Sequence, residues 1–154
     1  MSERKAHNPH NPHNPHKANL SGAGNTGEFT KRPADRRKAL GQRAEQLAAD
    51  YLTGLGYIIQ ERNWRCRTGE LDLIAWQGDI LVIVEVRSRS SRSNGFGTPA
   101  ESVTPRKIKQ VRDTAAVYLH HNSKSNAPIR FDMIGIVLKP DGEAESLNHV
   151  IAAF

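Results

Sequence analysis

The stretch that most limits what this chain can become is GELDLIAWQGDILVIVEVR, residues 69–87. Two apolar runs flank Gly78-Asp79, a dipeptide that signals a two-residue type II′ hairpin with glycine at the position of positive φ. With Gln77 opposite Ile80, pairing runs outward so that Asp72 is expected opposite Glu85 and Glu70 opposite Arg87. Side chains alternate along strands, which brings Glu70, Asp72, Glu85 and Arg87 out on one face. Leu71, Leu73, Ala75, Leu81 and Ile83 predict a strand pair apolar throughout on one face and partly apolar on the other. Opposed residues of an antiparallel pair have Cβ atoms about 4.5–5.5 Å apart, and like charges so placed are destabilising. Asp72 and Glu85 therefore need relief: one carboxyl keeps a proton, or a cation lies between them. A divalent ion with oxygen ligands at roughly 2.0–2.1 Å suits the second solution. A plainer reading leaves the acidic face in solvent, with Glu70 and Arg87 paired there for at most ~1 kcal/mol.

The rest of the chain supplies the frame. From near Asp35, Leu40, Ala44, Leu47, Ala48, Tyr51, Leu52 and Leu55 follow helical spacing, and Gly54 and Gly56 mark the exit. At about 100° per residue, Glu45 lies roughly 60° from Ala48 and 20° from Leu52, so it borders the buried stripe. Its neighbours at i±3 and i±4 include no cation. It is either a solvated boundary residue or, if this helix packs over the charged face, a third carboxylate for the same ion. Residues 57–64 read as a strand, 65–69 as a turn, and 70–76 and 80–87 as the hairpin strands. A polar, glycine-rich loop follows over 88–103, suited to gripping or moving. Thr104-Pro105 then opens a second helix as cap and first-turn proline. Ile108, Val111, Ala115, Tyr118 and Leu119 form its apolar face, with Arg106, Lys107, Lys109 and Arg112 largely away from it. Strands over 129–138 and 147–154 close the chain. The order helix-strand-strand-strand-helix-strand-strand describes an α/β (α+β) domain with a mixed five-stranded sheet flanked by helices. The first three strands are expected to form an antiparallel meander, and the second helix a right-handed crossover to a parallel fourth strand.

Composition narrows the class further. A chain of 154 residues has room for one ordinary domain. Its single cysteine, Cys66, cannot form an internal disulfide. No segment approaches the ~20 apolar residues of a membrane span, and the N-terminus lacks a secretory apolar core, so a cytoplasmic protein with no membrane partner is expected. The net charge of +6 sits mostly in the first part of the chain, where residues up to Lys38 carry eight Lys/Arg against three Asp/Glu. Residues 1–34 lack apolar periodicity and read as a disordered basic tail, leaving 35–154 as the domain. Within the tail, HNPHNPHNPH repeats every three residues, so His7, His10, His13 and His16 would share an edge of a polyproline II helix and could hold Ni, Cu or Zn loosely. Composition favours a low-complexity spacer. The basic tail adds attraction to phosphates but is weak evidence for nucleic acid.

Other motifs carry less. Gly95-Phe96-Gly97 is too short for a dinucleotide fingerprint, and there is no Walker loop, HExxH, CxxC or GxSxG. His120-His121 ends a helix, where cations favour the dipole. Trp64 and Trp76 read as packing residues. Asp132, beside Arg130, reads as an acid at a sheet end or in support of the site, not as a ligand.

The series GQRAEQLAADYL, GYIIQERNWRCRTGELDLIAWQGDILVIVEVRSR, TPRKIKQV and RFDMIGIV resembles the YraN-like family of bacteria over residues 36–153. That family looks like a branch of the restriction-endonuclease-like superfamily, with its PD-(D/E)xK motif, and is similar to archaeal Holliday junction resolvases. The resemblance implies a restriction-endonuclease-like core and hydrolysis of phosphodiester bonds in DNA, with branched or damaged DNA a substrate to consider. It implies Mg²⁺ or Mn²⁺ as cofactor, with Asp72 and Glu85 as ligands and Glu45 as a direct or water-mediated one. It casts Asp72, Glu85 and Arg87 as the catalytic set, Arg87 contacting the attacking water or the phosphate. Arg89, Arg92, Arg106, Lys107 and Lys109 are then expected to contact phosphates. By analogy with the resolvases alone, a homodimer is expected. Two departures stand out. Leu71 replaces the motif proline, and Arg87 replaces its lysine; a guanidinium with pKa above ~12 cannot act as a general base. The rival expectation is a nucleic-acid-binding protein that keeps the fold and cuts slowly or not at all.

Overall fold

The structure, a computed structural model, describes residues 32–92 and 103–154. The histidine repeat of the tail and Gly95-Phe96-Gly97 lie outside the described residues. The elements come in the expected order: α1 (Pro33–Gly54), β1 (Ile58–Cys66), β2 (Gly69–Gln77), β3 (Ile80–Ser90), α2 (Pro105–His121), β4 (Ile129–Leu138) and β5 (Ala144–Val150). They form one mixed five-stranded sheet in the order β1-β2-β3-β4-β5, with two helices. The first three strands are an antiparallel meander, β3 and β4 run parallel, and β5 returns antiparallel to β4.

Local chemistry accounts for the boundaries. Pro33 starts α1 two residues before the sequence signal at Asp35, because a first-turn proline needs no N–H partner. Thr104 caps α2 as expected, its hydroxyl accepting from Lys107 N at 3.2 Å. Gly78 has φ 57°, and Asp79 stays out of the positive-φ region, as a type II′ turn requires. β5 ends at Val150, earlier than the strand expected over 147–154. Ala152 turns the chain at φ 52°, and the backbone N–H groups of Ala152 and Ala153 donate to Asp132 and Phe131 instead of extending the ladder.

Both hairpin faces are apolar, where one was expected to be so only in part. Leu73, Ala75, Val82 and Val84 pack with Ala44, Ala48 and Leu52 of α1, whereas Leu71, Ile74, Leu81 and Ile83 pack with Val111, Ala115 and Tyr118 of α2. A helix covers each face, so both are apolar. Leu71 and Leu73 should share a face, yet they enter opposite clusters. The alternation breaks at the residue between them, Asp72.

At Gly69 a Cβ atom would stand 2.8 Å from Gln110 Nε2 and 3.1 Å from Thr114 Oγ1. The missing side chain lets α2 lie directly on the start of β2. At the far end of the sheet, Asp132 is fully buried and accepts both Nε and Nη2 of Arg130, each at 2.8 Å, His149 Nε2 at 3.0 Å and Ala152 N at 3.0 Å. Arg130 also reaches Gln77 Oε1 and Tyr57 Oη. This network ties β4, β5 and the chain end together, which gives Asp132 a structural role.

Candidate functional site

The register of the β2–β3 hairpin is the expected one, from Gln77↔Ile80 outward to Leu73↔Val84, and there the pairing stops. Beyond Leu73, β2 leaves β3 and stays with β1 as far as Gly69, while β3 continues beside β4 to Ser90. Asp72 occupies the fork. Its Oδ2 accepts the backbone N–H of Val86 at 2.8 Å, taking the place of a strand carbonyl. The fork also corrects the expected pairing of Glu70 with Arg87. Glu70 remains opposite Arg65 on β1 and pairs with it at 3.0 Å on the surface.

Asp72 and Glu85 are both buried, with 8% and 3% of their surface exposed. Burial, and then the charge of Glu85, push the Asp72 carboxyl up to about 7, against the Val86 hydrogen bond and Lys107; Glu45 adds a smaller upward push from α1. Glu85 has the counter-charge that Asp72 lacks. Lys107 Nζ lies 3.0 Å from Glu85 Oε1, and Arg87 Nη2 approaches the same oxygen at 3.4 Å. The Thr104 cap sets this geometry, since it fixes the first turn of α2 and so the position of Lys107. Arg87 Nε is a buried donor with no hydrogen-bond partner among the described residues.

Two opposite solutions to like-charge repulsion thus coexist: a carboxyl poised to hold a proton, and a carboxylate held by two cations. Among the described residues no group of three or more His, Cys, Asp or Glu is placed to hold a metal ion. Asp72 and Glu85 are therefore the acidic centre, with Glu45 acting on it at longer range from a half-buried position on α1. Two carboxylates still fit Mg²⁺ or Mn²⁺. Magnesium is commonly held by one or two carboxylates, with waters and phosphate oxygens completing the shell. Hard oxygen donors suit both ions.

The expected phosphate contacts are scattered. Lys107 is turned onto Glu85 rather than outward. Arg89 lies on β3 two residues past Arg87, and Arg106 is exposed on the first turn of α2. Lys109 is exposed and paired with Asp113 at 2.6 Å. Arg92 borders a separate cleft beside α1. Sequence reading missed the ion pair of Lys107 with Glu85. The available signal was its position one turn inside a capped helix that must cross the sheet near the end of β3. Cys66 forms no disulfide; its thiol bonds Thr68 at 3.0 Å, and that hydroxyl holds it below the usual thiol range.

Relatives match the folded part. A "UPF0102 protein" of Desulforamulus reducens is 44% identical over 117 residues, covering 75% of this chain and 94% of the relative. Another, from Rhodococcus opacus (strain B4), is 47% identical over 116 residues, covering 75% and 96%. A third, from Pelotomaculum thermopropionicum, is 42% identical over 121 residues, covering 79% and 99%. The family described as "Uncharacterised protein family UPF0102" matches residues 44–136, a span that holds Glu45, Asp72, Glu85, Arg87 and Lys107. The chain belongs to the UPF0102 family.

Proposed function

We propose that this chain is a metal-dependent nuclease that hydrolyses phosphodiester bonds in DNA, with a restriction-endonuclease-like core. One observation carries the reading: two buried carboxylates meet at the fork of β2 and β3, and two cations converge on one of them, Glu85. Such a pair is costly for a purely structural core, where apolar residues would serve as well. Strongly perturbed acids in this setting are candidates for function.

Asp72 and Glu85 would hold Mg²⁺ or Mn²⁺. When bound, the ion would lower the pKa of a water, polarise the phosphoryl oxygen and stabilise the leaving oxygen. The Val86 N–H orients Asp72, so one of its oxygens is committed to the backbone and the other is left for a ligand. A guanidinium is no general base, which limits Arg87 to gripping phosphate and stabilising charge, and its Nε, without a hydrogen-bond partner among the described residues, is a donor for that. Lys107 neutralises Glu85 while no ion is present and lies beside any phosphate that arrives. The chain would work in the cytoplasm, and among its described residues no helix is long and apolar enough to cross a membrane. Supercoiled, single-stranded and four-way-junction DNA, incubated with Mg²⁺ or Mn²⁺, test the reading. Cleavage of one of them by the wild type, lost in Asp72→Asn by on the order of 100-fold or more, is the expected result.

A second reading rests on Arg87 and Lys107. With no lysine at the motif position and Glu85 already paired, the protein would hold nucleic acid without cutting it. Binding retained on all three substrates, with no cleavage in either metal, would select this reading.

A further inference from the structure

A cleft of about 690 Å³ opens where α1, the end of β3 and the turn between β4 and β5 meet. Arg36, Arg43, Arg92 and Lys139 line it, and among the described lining residues Asp141 is the one acid. The cations come from three separate parts of the chain. Arg36 and Arg43 are two helical turns apart, so they share the side of α1 that carries Leu40. Arg43 is anchored: its Nε donates to Gly142 O at 2.9 Å and its Nη2 pairs with Glu143 at 3.0 Å, which holds the β4–β5 turn against the helix. Arg36, Arg92 and Lys139 have no ion pair among the described residues. Asp141 is occupied, its Oδ1 accepting Glu143 N at 3.0 Å. Positive charge around a concave wall focuses the field on whatever anion enters. A planar guanidinium on either side matches the oxygens of a phosphate.

The position relative to the acidic pair matters. Ser90, on the cleft wall, is the last residue of β3, the strand that carries Glu85 and Arg87. The β2–β3 ladder ends at Leu73↔Val84, and among the described strands none pairs with β3 on that side farther along. Five residues at about 3.3 Å each put the cleft roughly 16 Å along the strand from Glu85. At about 3.4 Å of rise per nucleotide in one strand of a duplex, that is roughly five nucleotides.

We propose that the cleft of Arg36, Arg43, Arg92 and Lys139 is a second phosphate site, which holds the backbone of the bound nucleic acid about five nucleotides from the Asp72–Glu85 pair. The proposal rests on the nucleic-acid reading above and adds to it where the strand runs and in which direction it leaves the centre. Arg43 also braces the β4–β5 turn, so Arg36→Ala/Lys139→Ala is the informative variant; neither side chain has a hydrogen bond or ion pair to lose among the described residues. Binding of a labelled DNA duplex to the full chain is followed by fluorescence anisotropy in EDTA, where no cutting occurs, across a salt series. The expected result for the double variant is an unchanged melting temperature, affinity weaker by roughly three- to tenfold, and a log K against log salt slope shallower by about 2, one for each lost cation. Duplexes too short to reach five nucleotides past the centre should bind wild type and variant alike. Equal affinity and slope for the two proteins on long DNA overturns the cleft while leaving the nuclease reading intact. No binding of DNA by the wild type overturns the nucleic-acid reading, and the cleft with it. Inorganic phosphate and a nucleoside triphosphate serve as competitors. If either binds the wild type as tightly as DNA does, and the variant loses it, the cleft is a small-anion site and the proposal fails.

Discussion

At the residue scale, Asp72 and Asp132 show how one side chain acquires opposite properties in one sheet. Asp72 has burial and a like charge acting on it, with a single backbone donor in its favour. A carboxyl raised from 3.8 to about 7 binds a proton in the folded state that the unfolded chain has already released. Stability in metal-free buffer should therefore fall as pH rises from about 4 to about 7 and then level off. Asp72→Asn keeps an oxygen for Val86 N–H and removes the charge, so it should flatten that fall and melt higher than the wild type at pH 8. Urea unfolding across pH in EDTA measures both; a wild-type curve flat over that window would contradict it. At Asp132 burial again pushes upward, but hydrogen bonds from Arg130, Ala152 N and His149, with the Arg130 charge, outweigh it and hold the carboxyl below the usual range. Its contribution is present above about 3.8 and is lost as pH falls through its lower folded value. Asp132→Asn, which strands Arg130 beside a neutral amide, should cost about 3–5 kcal/mol in urea unfolding at pH 7.

At the scale of elements, the fork between β2 and β3 and the first turn of α2 make the site together. The fork ends the β2–β3 ladder and gives Asp72 its backbone partner; the α2 turn delivers Lys107 to Glu85. Lys107 thus competes with any ion for the same carboxylate oxygen. Lys107→Met should lower the melting temperature without metal, because it leaves Glu85 less compensated in the core. The same change should tighten Mn²⁺ binding by roughly tenfold, the equivalent of ~1.4 kcal/mol. Calorimetric titration reads the second effect, and an unchanged or weaker affinity would remove Lys107 from the site. Thr104→Ala, which deletes the cap's bond to Lys107 N, should cost about 1 kcal/mol.

For the whole molecule, the two helices cover opposite faces of one sheet, and the acidic pair sits where β2 and β3 part. A ligand that binds only the folded chain stabilises it by mass action. Mg²⁺ at about 100 times its dissociation constant should add about 2.7 kcal/mol, seen as a higher melting temperature in wild type and not in Asp72→Asn. The chain order and the sheet's mixed strand directions were legible in advance, because each rests on short-range periodicity and on the reach of a crossover. So was the hairpin register, which a two-residue Gly-Asp turn specifies by itself. The expected pairing of Asp72 directly with Glu85 across the ladder does not form, since where two strands part depends on what they pack against rather than on the turn.

The sequence by itself determined the elements, their order and the candidate acids Asp72 and Glu85, because turn chemistry, caps and hydrophobic period act over a few residues. Only the tertiary structure decided which charges meet. It took Glu70 away from Arg87, gave Lys107 to Glu85, and gathered Arg36, Arg43, Arg92 and Lys139 around one cleft. Those neighbours are set by how the two helices cross the sheet, and residues as far apart in the chain as Arg36 and Lys139 leave no local pattern to read.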